Sequence, residues 1–352
     1  MKKILISSFH YEINYGALLQ AFALQKSCRL FGYNTSHNDF IPKFYSFYPY
    51  YLKKNILICI YHWIKRCYFI YIKKNAPWKN IINSSFNELL RSPLKLSTKA
   101  DILITGSDQV WNHNFIWGRE KIYFLGFGKA SAKRISYAAS LGVSSWPKSF
   151  EKKVLPYLNK FNAISVREES SVTYLNTLGF KNVTCVCDPT ILHNSFFYRK
   201  NFKLNSKTDI SSPFIYRIRT QVPREVSYIL PSKFTEIVLR DPNNKTLVTE
   251  WLSYIDNASF VVTDSFHCAV FCILFHKPFL VLPNQSTGKG MNERFSTLLG
   301  KTNLEYRVLS GEENSEEILK KLNTPVDWNK IDSILEEWRN FSANWLKNAL
   351  EN

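Results

Sequence analysis

Short apolar runs alternate with amphipathic stretches of helical periodicity along most of the chain. The apolar runs predict strands at residues 3–8, 101–105, 134–138, 163–167, 183–187, 214–218, 236–239, 260–263 and 279–282. The intervening periodicity predicts helices at residues 16–31, 169–178, 249–257, 267–275 and 330–349. Strands that alternate with helices are typical of parallel sheets covered by helices on both faces, which indicates an α/β fold.

The alternation occurs in two series, which predicts two Rossmann-like domains. A chain of 352 residues also exceeds the size at which a single core stops growing. The polar residues 201–212 are the predicted linker. We therefore expect an N-terminal domain at residues 1–200, a C-terminal domain at 201–325 and a C-terminal helix within 326–352.

Residues 43–75 form an unusual basic and aromatic segment. Its apolar part, from Ile56 to Ile72, is shorter than the roughly 20 residues of a membrane-spanning helix. It also carries Lys65 and Arg66 near its middle, and each such cation costs about 2.5–3.5 kcal/mol at mid-bilayer. As a helix it would place basic residues opposite aromatic and aliphatic ones. That pattern fits a helix on a membrane surface or a helix packed on its own domain.

The composition narrows the range of partners. A net charge of +18 favours an anionic partner. The chain has no zinc-finger spacing and no RNA-recognition motif, so nucleic acid is not expected. Its seven cysteines are irregularly spaced, which predicts free thiols in a reducing cytosol and no metal site. The N-terminus leads into a strand without a signal peptide. We expect a cytoplasmic protein, held at the inner face of the plasma membrane if residues 43–75 bind there.

Polar residues directly follow several predicted strands. In two-lobed α/β proteins, ligands bind at the carboxyl ends of the parallel strands. This rule selects four segments as site candidates on topology alone: Gly106-Ser107-Asp108, Arg167-Glu168, Asp188-Pro189-Thr190 and Asp264-Ser265-Phe266-His267.

These segments resemble the polysaccharide pyruvyl transferase family. The matching segments are Asn14-Tyr15-Gly16-Ala17-Leu18-Leu19-Gln20, Gly106-Ser107-Asp108-Gln109-Val110-Trp111-Asn112, Ser165-Val166-Arg167-Glu168, Val186-Cys187-Asp188-Pro189-Thr190, Val262-Thr263-Asp264-Ser265-Phe266-His267 and Asn292-Glu293-Arg294-Phe295. They occur in the family's order within roughly residues 1–310. One departure is Cys268, which stands where the family usually has glycine.

The resemblance implies a two-lobed fold similar to GT-B glycosyltransferases. It also implies phosphoenolpyruvate as the donor substrate, with no other cofactor, and a ketal-linked pyruvate on a bacterial cell-surface polysaccharide as the product. A galactose 4,6-ketal is the expected product. The acceptor sugar is either free or carried on a lipid such as polyprenyl diphosphate.

His267 and Arg167 are the catalytic candidates. Histidine titrates near neutrality, so His267 is suited to protonate the methylene carbon of the enol; its alternatives are a fixed phosphate anchor or a structural role. A guanidinium forks onto carboxylate or phosphate, and phosphoenolpyruvate carries both, so Arg167 is expected to bind it. The alternative for Arg167 is a salt bridge to Glu168 or Glu169.

Nine further residues are candidates for substrate binding. They are Asn14, Tyr15, Gly16, Ser107, Asp108, Arg217, Ser265, Lys289 and Arg294. Backbone N–H groups at residues 14–16 would hold an anion or sugar hydroxyls, and Ser107 and Asp108 would accept hydrogen bonds from the acceptor; ordinary turn and cap chemistry is the alternative for both segments. Lys289 and Arg294 would close over phosphate. One of Arg217 and Arg219 is expected to face the cleft.

Two other functions remain open. One is a nucleotide-sugar glycosyltransferase of the same two-lobed architecture. The other is a non-catalytic protein that binds anionic glycans or membranes. No metal is expected in the pyruvyl transfer, because acid catalysis and cationic stabilisation suffice for the chemistry.

Overall fold

The computed structural model describes residues 1–10, 14–38, 99–116, 118–204, 212–239, 241, 244, 246–282 and 293–352. Their strands are β1 (Lys3–Ser7), β2 (Asn34–His37), β3 (Ile102–Thr105), β4 (Lys133–Ala139), β5 (Ala163–Val166), β6 (Val183–Cys185), β7 (Phe214–Arg217), β8 (Thr235–Val238), β9 (Val261–Thr263) and β10 (Phe279–Val281). Residues 43–75 and Lys289 lie outside the described residues, as does most of the predicted linker.

The strands form two sheets, and every pairing in them is parallel. The first has six strands in the order β2-β1-β3-β4-β5-β6, and the second has four in the order β10-β9-β7-β8. We call the first sheet with its helices the first lobe and the second sheet with its helices the second lobe. The predicted α/β architecture with two parallel sheets is confirmed. The predicted domain boundaries remain a prediction.

Twelve α-helices are described between and after these strands. They are α1 (Tyr15–Leu30), α2 (His113–Ile116), α3 (Glu120–Tyr123), α4 (Lys148–Leu158), α5 (Glu169–Thr177), α6 (Ser195–Phe202), α7 (Arg224–Tyr228), α8 (Val248–Asn257), α9 (Phe266–Leu274), α10 (Glu293–Thr302), α11 (Ser315–Asn323) and α12 (Trp328–Glu351). Among the described residues, no helix combines the length and apolar character needed to cross a membrane.

The predicted C-terminal helix is present as α12, and it packs on the first lobe. Lys133 of β4 donates to the carbonyl of Leu350 at 3.2 Å, and Arg339 donates to the carbonyl of Ile191 at 2.8 Å. The backbone N–H of Cys187 donates to Ser342 Oγ at 2.9 Å. The end of the chain therefore supports the loop that follows β6, where Asp188 lies.

The two lobes share buried contacts. Tyr15 of α1 stacks on Trp251 of α8, with ring centroids 5.2 Å apart, and its hydroxyl donates to the carbonyl of Thr246 at 3.0 Å. On another side, Ser170 of α5 donates a short hydrogen bond to Glu293 of α10. The carboxyl ends of the strands in both sheets consequently meet around one polar cluster.

Candidate active site

Asp188, in the loop after β6, is the centre of that cluster. Its Oδ2 accepts hydrogen bonds from Arg167 Nη1 at 2.8 Å and from Ser107 Oγ at 2.9 Å. Its Oδ1 accepts from the backbone N–H and the hydroxyl of Thr190 at 3.0 and 2.7 Å. Both carboxylate oxygens are therefore held in place by residues that follow β3, β5 and β6.

Arg167 follows β5 and is buried between two carboxylates. Besides its bond to Asp188, its Nε donates to Glu168 Oε1 at 3.3 Å. Burial lowers the pKa of Arg167, but Glu168 and Asp188 outweigh burial, so the pKa is raised above its ordinary value. Its Nη2 is buried and has no hydrogen-bond partner within the described chain. Arg167 therefore forms the salt bridge to Glu168 that was its alternative role, and its Nη2 is a buried donor with no partner among the described residues.

His267 lies in the first turn of α9 and meets Asp188 from the second lobe. Its buried Nε2 lies 3.5 Å from Asp188 Oδ2, in an orientation that does not form a hydrogen bond. Burial raises the pKa of Asp188, but His267 and Arg167 outweigh burial, so that the pKa lies well below its ordinary value. Asp188 therefore carries a negative charge that faces an imidazole from one lobe and a guanidinium from the other.

Gly16, in the first turn of α1, lies directly against His267. A Cβ placed on Gly16 would be 2.3 Å from the Cβ, Cγ and Nδ1 atoms of His267. Real Cβ atoms essentially never approach heavy atoms below 3.0 Å. His267 therefore fits in this position because residue 16 of the first lobe has no side chain.

Phe266 lies beneath two guanidinium groups. The Cζ atoms of Arg167 and Arg294 lie 4.5 and 5.6 Å from its ring centroid, which is cation–π distance. Burial lowers the pKa of Arg294 to about 10, and the positive charge of Arg167 adds to that effect. Its Nε has no hydrogen-bond partner among the described residues. The cluster therefore holds a second buried cation with an unpaired donor.

The predicted anion site at the start of α1 is occupied by the protein itself. The side chain of Asn14 accepts hydrogen bonds from the N–H groups of Gly16 and Ala17, at 3.0 and 3.3 Å. This is the capping alternative, and it leaves those two donors with a partner already. Tyr15 is turned into the second lobe, where burial raises its pKa to about 12.

The segment after β9 is also largely engaged in structure. Ser265 caps α9, accepting from the N–H of Cys268 at 3.4 Å. The carboxylate of Asp264 accepts from the N–H groups of Ile218, Arg219 and Thr220, at 2.6, 2.8 and 2.9 Å. Asp264 therefore fixes the loop that follows β7.

Arg217 and Arg219 take different positions. Arg217 pairs with Glu236 of the neighbouring strand β8, with Nε 2.6 Å from Oε1. Arg219 lies over the ring of Phe115 in the first lobe, 5.8 Å from its centroid, and its charge lowers the pKa of Arg294. Arg219, rather than Arg217, is the arginine of this pair that lies beside the cluster.

Asp108 follows Ser107 with a left-handed backbone, at a φ of 74°. Its carbonyl accepts from the N–H of Ser140 at 3.0 Å, and its Oδ1 accepts from the N–H of Gln109 at 2.9 Å. Such a conformation is strained for a residue other than glycine and is concentrated at functional sites.

Two members of the cluster were predicted only as parts of strand-end segments, without a role of their own. Asp188 lies in the candidate segment Asp188-Pro189-Thr190, and Phe266 lies in Asp264-Ser265-Phe266-His267. A signal for Asp188 existed, because a carboxylate that follows a buried strand needs a buried cation, and Arg167 is one. The position of Phe266 between two arginines depends on contacts across the cleft that local patterns do not encode.

Cys268 does not obstruct the cluster. Its side chain is fully buried in the hydrophobic core, one helical turn before Cys272 on α9. The five cysteines in the described residues are free thiols. In the same residues, no group of three or more His, Cys, Asp or Glu side chains is arranged to hold a metal ion.

Two parallel sheets that meet around a histidine, an aspartate and two arginines define an α/β protein with a buried polar site between its lobes. Among solved structures, an uncharacterized protein from Klebsiella pneumoniae subsp. pneumoniae is 17% identical, with a TM-score of 0.37, over 64% of this chain and 85% of that chain. The UDP-GlcNAc 2-epimerase from Neisseria meningitidis is 12% identical, with a TM-score of 0.47, over 99% of both chains. That from Methanocaldococcus jannaschii is 11% identical, with a TM-score of 0.49, over 97% of this chain and 99% of that chain. These likenesses are too slight to inform the function.

No curated protein matches the chain. The sequence model of the polysaccharide pyruvyl transferase family matches residues 14–286. The chain belongs to the polysaccharide pyruvyl transferase family, and the resemblance read from its six segments is confirmed.

Proposed function

We propose that this chain transfers the pyruvyl group of phosphoenolpyruvate onto a hydroxyl pair of a sugar, forming a ketal, with galactose O4 and O6 as the preferred pair. One observation carries the proposal. Two buried guanidiniums with unpaired donors, Arg167 Nη2 and Arg294 Nε, converge on Phe266 beside a histidine. An unpaired buried charge is destabilising by several kcal/mol, so such a cluster favours an anionic ligand.

Phosphoenolpyruvate suits such a site because it carries two anionic groups close together. The carboxylate is bonded to the central carbon, and the phosphate is bonded to the oxygen on that same carbon. Arginine forks bind both groups in two-point contacts. Arg167 is already oriented by Asp188, so its remaining donor is fixed in direction before a ligand arrives. Preorganised donors of this kind stabilise developing charge without having to rearrange.

In the proposed reaction, His267 donates a proton to the methylene carbon of the enol, and positive charge develops at the central carbon. One sugar hydroxyl adds there, phosphate departs, and the second hydroxyl closes the ring. The negative charge of Asp188, 3.5 Å from His267 Nε2, stabilises the protonated imidazole that this step requires. Arg167 and Arg294 neutralise the departing phosphate.

The direct test is donor consumption by the purified chain. With phosphoenolpyruvate and a galactose-terminated lipid-linked acceptor, we expect release of inorganic phosphate and an acid-labile ketal on the sugar, detected by mass spectrometry. Absence of phosphate release with every pyranose acceptor tried would contradict the proposal. Consumption of a nucleotide sugar instead would favour a glycosyltransferase.

The role of His267 is tested by His267→Gln, which keeps a polar side chain but cannot act as an acid near neutrality. If His267 is the acid, kcat falls about 10²–10⁴-fold while KM for phosphoenolpyruvate changes little. A rise in KM with kcat preserved would identify a phosphate anchor. A variant with unchanged kinetics would remove His267 from the mechanism and favour a binding protein.

A further inference from the structure

Four buried carboxylates lie at the strand ends around the cluster, and three of them accept hydrogen bonds on both oxygens. Both oxygens of Asp188 accept two hydrogen bonds each. Glu168 binds Arg167 through Oε1 and the hydroxyl of Ser171 through Oε2, both at 3.3 Å. Asp264 is held by three backbone N–H groups. Each of these three carboxylates therefore has a hydrogen-bond donor on both of its oxygens.

Asp108 differs from the other three. Its Oδ1 accepts from the N–H of Gln109, and no hydrogen bond to its Oδ2 is found within the described residues. Its side chain is directed by a backbone that is held in a left-handed conformation. The N–H groups of Val110 and Ser140 both donate to the Asp108 carbonyl, at 2.7 and 3.0 Å. The structure therefore holds Asp108 in a left-handed conformation with one carboxylate oxygen that has no hydrogen-bond partner among the described residues.

The end of β4 ties Asp108 to the cluster. Asp108 pairs with Ala139 in an isolated parallel bridge, and Arg167 N donates to the Ala139 carbonyl on the other side, at 3.3 Å. Ser107, which precedes Asp108, donates to Asp188. The negative charge of Asp108 also acts on both arginines: it helps to raise the pKa of Arg167, and it opposes the larger effect of burial that lowers the pKa of Arg294. Asp108 thus borders the same anion site as the two arginines.

We propose that Asp108 Oδ2 is the base that accepts the proton of the attacking sugar hydroxyl. This inference rests on the proposed pyruvyl transfer, and it assigns the proton acceptor which that reaction needs besides its acid. Hydroxyl addition to a carbon centre is accelerated when a positioned carboxylate removes the proton as the new bond forms.

The step balances as follows for one ketal. His267 gives a proton to the methylene carbon, and the first hydroxyl oxygen bonds to the central carbon as its O–H bond breaks and the proton passes to Asp108. The bond from the central carbon to the phosphate oxygen then breaks, and phosphate leaves with the electron pair. The second hydroxyl adds with loss of its proton to phosphate, and the proton on Asp108 returns to His267 through solvent.

Two substitutions at position 108 remove the proposed base and are compatible with the left-handed backbone, so neither strains the fold. Asp108→Gly fits that backbone better than aspartate does, and Asp108→Asn is tolerated there and keeps an oxygen for the N–H of Gln109. We expect both variants to lose about 10²–10³-fold in kcat. KM for phosphoenolpyruvate should stay the same or fall, because a negative charge beside the anion site is gone.

Chemical rescue separates a base from a structural residue. Added formate should restore a substantial part of kcat to Asp108→Gly, because loss of the aspartate side chain leaves space in which formate can bind. It should do nothing for wild type or for Asp108→Asn, where the space is filled. Wild-type kcat in both variants, or no rescue of Asp108→Gly by formate, would overturn the inference. If wild type itself releases no phosphate from phosphoenolpyruvate, the proposed function fails and this inference fails with it.

Discussion

The contact between Gly16 and His267 makes Gly16→Ala a demanding test of the site. The added methyl group would lie 2.3 Å from three atoms of the histidine, whereas ordinary contacts begin at 3.4 Å. Because His267 is buried on the opposite lobe, it cannot swing into open solvent to avoid the methyl group. Either the imidazole or the start of α1 must therefore move by about 1 Å.

A displacement of that size has two measurable consequences. Overpacking a buried contact costs about 1–3 kcal/mol of stability. Moving a catalytic group by about 1 Å lowers the rate by roughly 10²-fold. We therefore expect Gly16→Ala to reduce kcat about 100-fold while unfolding cooperatively, with a free energy of unfolding lower by about 1–3 kcal/mol. The assays are phosphate release from phosphoenolpyruvate and urea unfolding.

Gly300 of α10 offers the matched control. A Cβ at Gly300 would meet its nearest neighbour, Glu305 Oε1, at 3.5 Å, an ordinary contact. Gly300→Ala should leave kcat unchanged and raise stability by about 0.5–1 kcal/mol, since alanine is the better helix former. If Gly16→Ala matched wild type in both assays, the close approach of the two lobes at His267 would be refuted.

Three further substitutions test the charges and the core. Arg294→Met should raise the free energy of unfolding by up to about 3 kcal/mol, because the pKa of Arg294, lowered to about 10, reflects a buried cation whose Nε has no hydrogen-bond partner among the described residues. The KM for phosphoenolpyruvate should rise in the same variant. A lower free energy of unfolding would contradict this prediction. Asp188→Asn should destabilise the fold by about 3–5 kcal/mol near neutrality by leaving Arg167 less well paired. Folding lowers the pKa of Asp188, so the ionised carboxylate stabilises the fold above pH 3.8, its ordinary pKa, and this stabilisation is lost as the pH falls below that value. Between pH 7 and pH 2, the free energy of unfolding should therefore depend less on pH in Asp188→Asn than in wild type. Cys268→Gly should lose about 1–2 kcal/mol of stability but keep wild-type kcat, because the thiol packs in the core and does not face the cluster.

Most of the strands that were predicted correctly are short runs dominated by apolar residues, as parallel sheets covered on both faces require. Strand β2 was missed because its sequence, Asn34–His37, is polar. Two of its polar groups have partners in α1. Gln25 donates to the carbonyl of Thr35 at 3.2 Å, and His37 Nε2 lies 3.1 Å from the carbonyl of Ala21. An edge strand whose polar atoms bond to a helix can consist of polar residues, so it cannot be recognised in the sequence as an apolar run.

For the site, strand-end topology and the family resemblance selected His267, Arg167 and Arg294, and the structure brings these three together around Phe266. The same reasoning left two alternatives open at the start of α1, because capping and anion binding use the same residue types, and the structure shows capping by Asn14. Lys289 is not described, so its role stays a prediction. Distances across the cleft were beyond what the sequence carries.

The division of the site between two lobes explains why so many of its neighbours are structural. Asp188 and Arg167 belong to the first lobe and His267 to the second, so the 3.5 Å contact between His267 and Asp188 exists only while the lobes are docked. Docking in turn depends on Tyr15 reaching the Thr246 carbonyl and on Gly16 admitting the imidazole. Asn14, Tyr15 and Gly16 were predicted to bind a ligand, and in the structure their contacts support the geometry between His267 and Asp188. If His267 is the acid that we propose, a substitution at Gly16 changes catalysis by moving the imidazole.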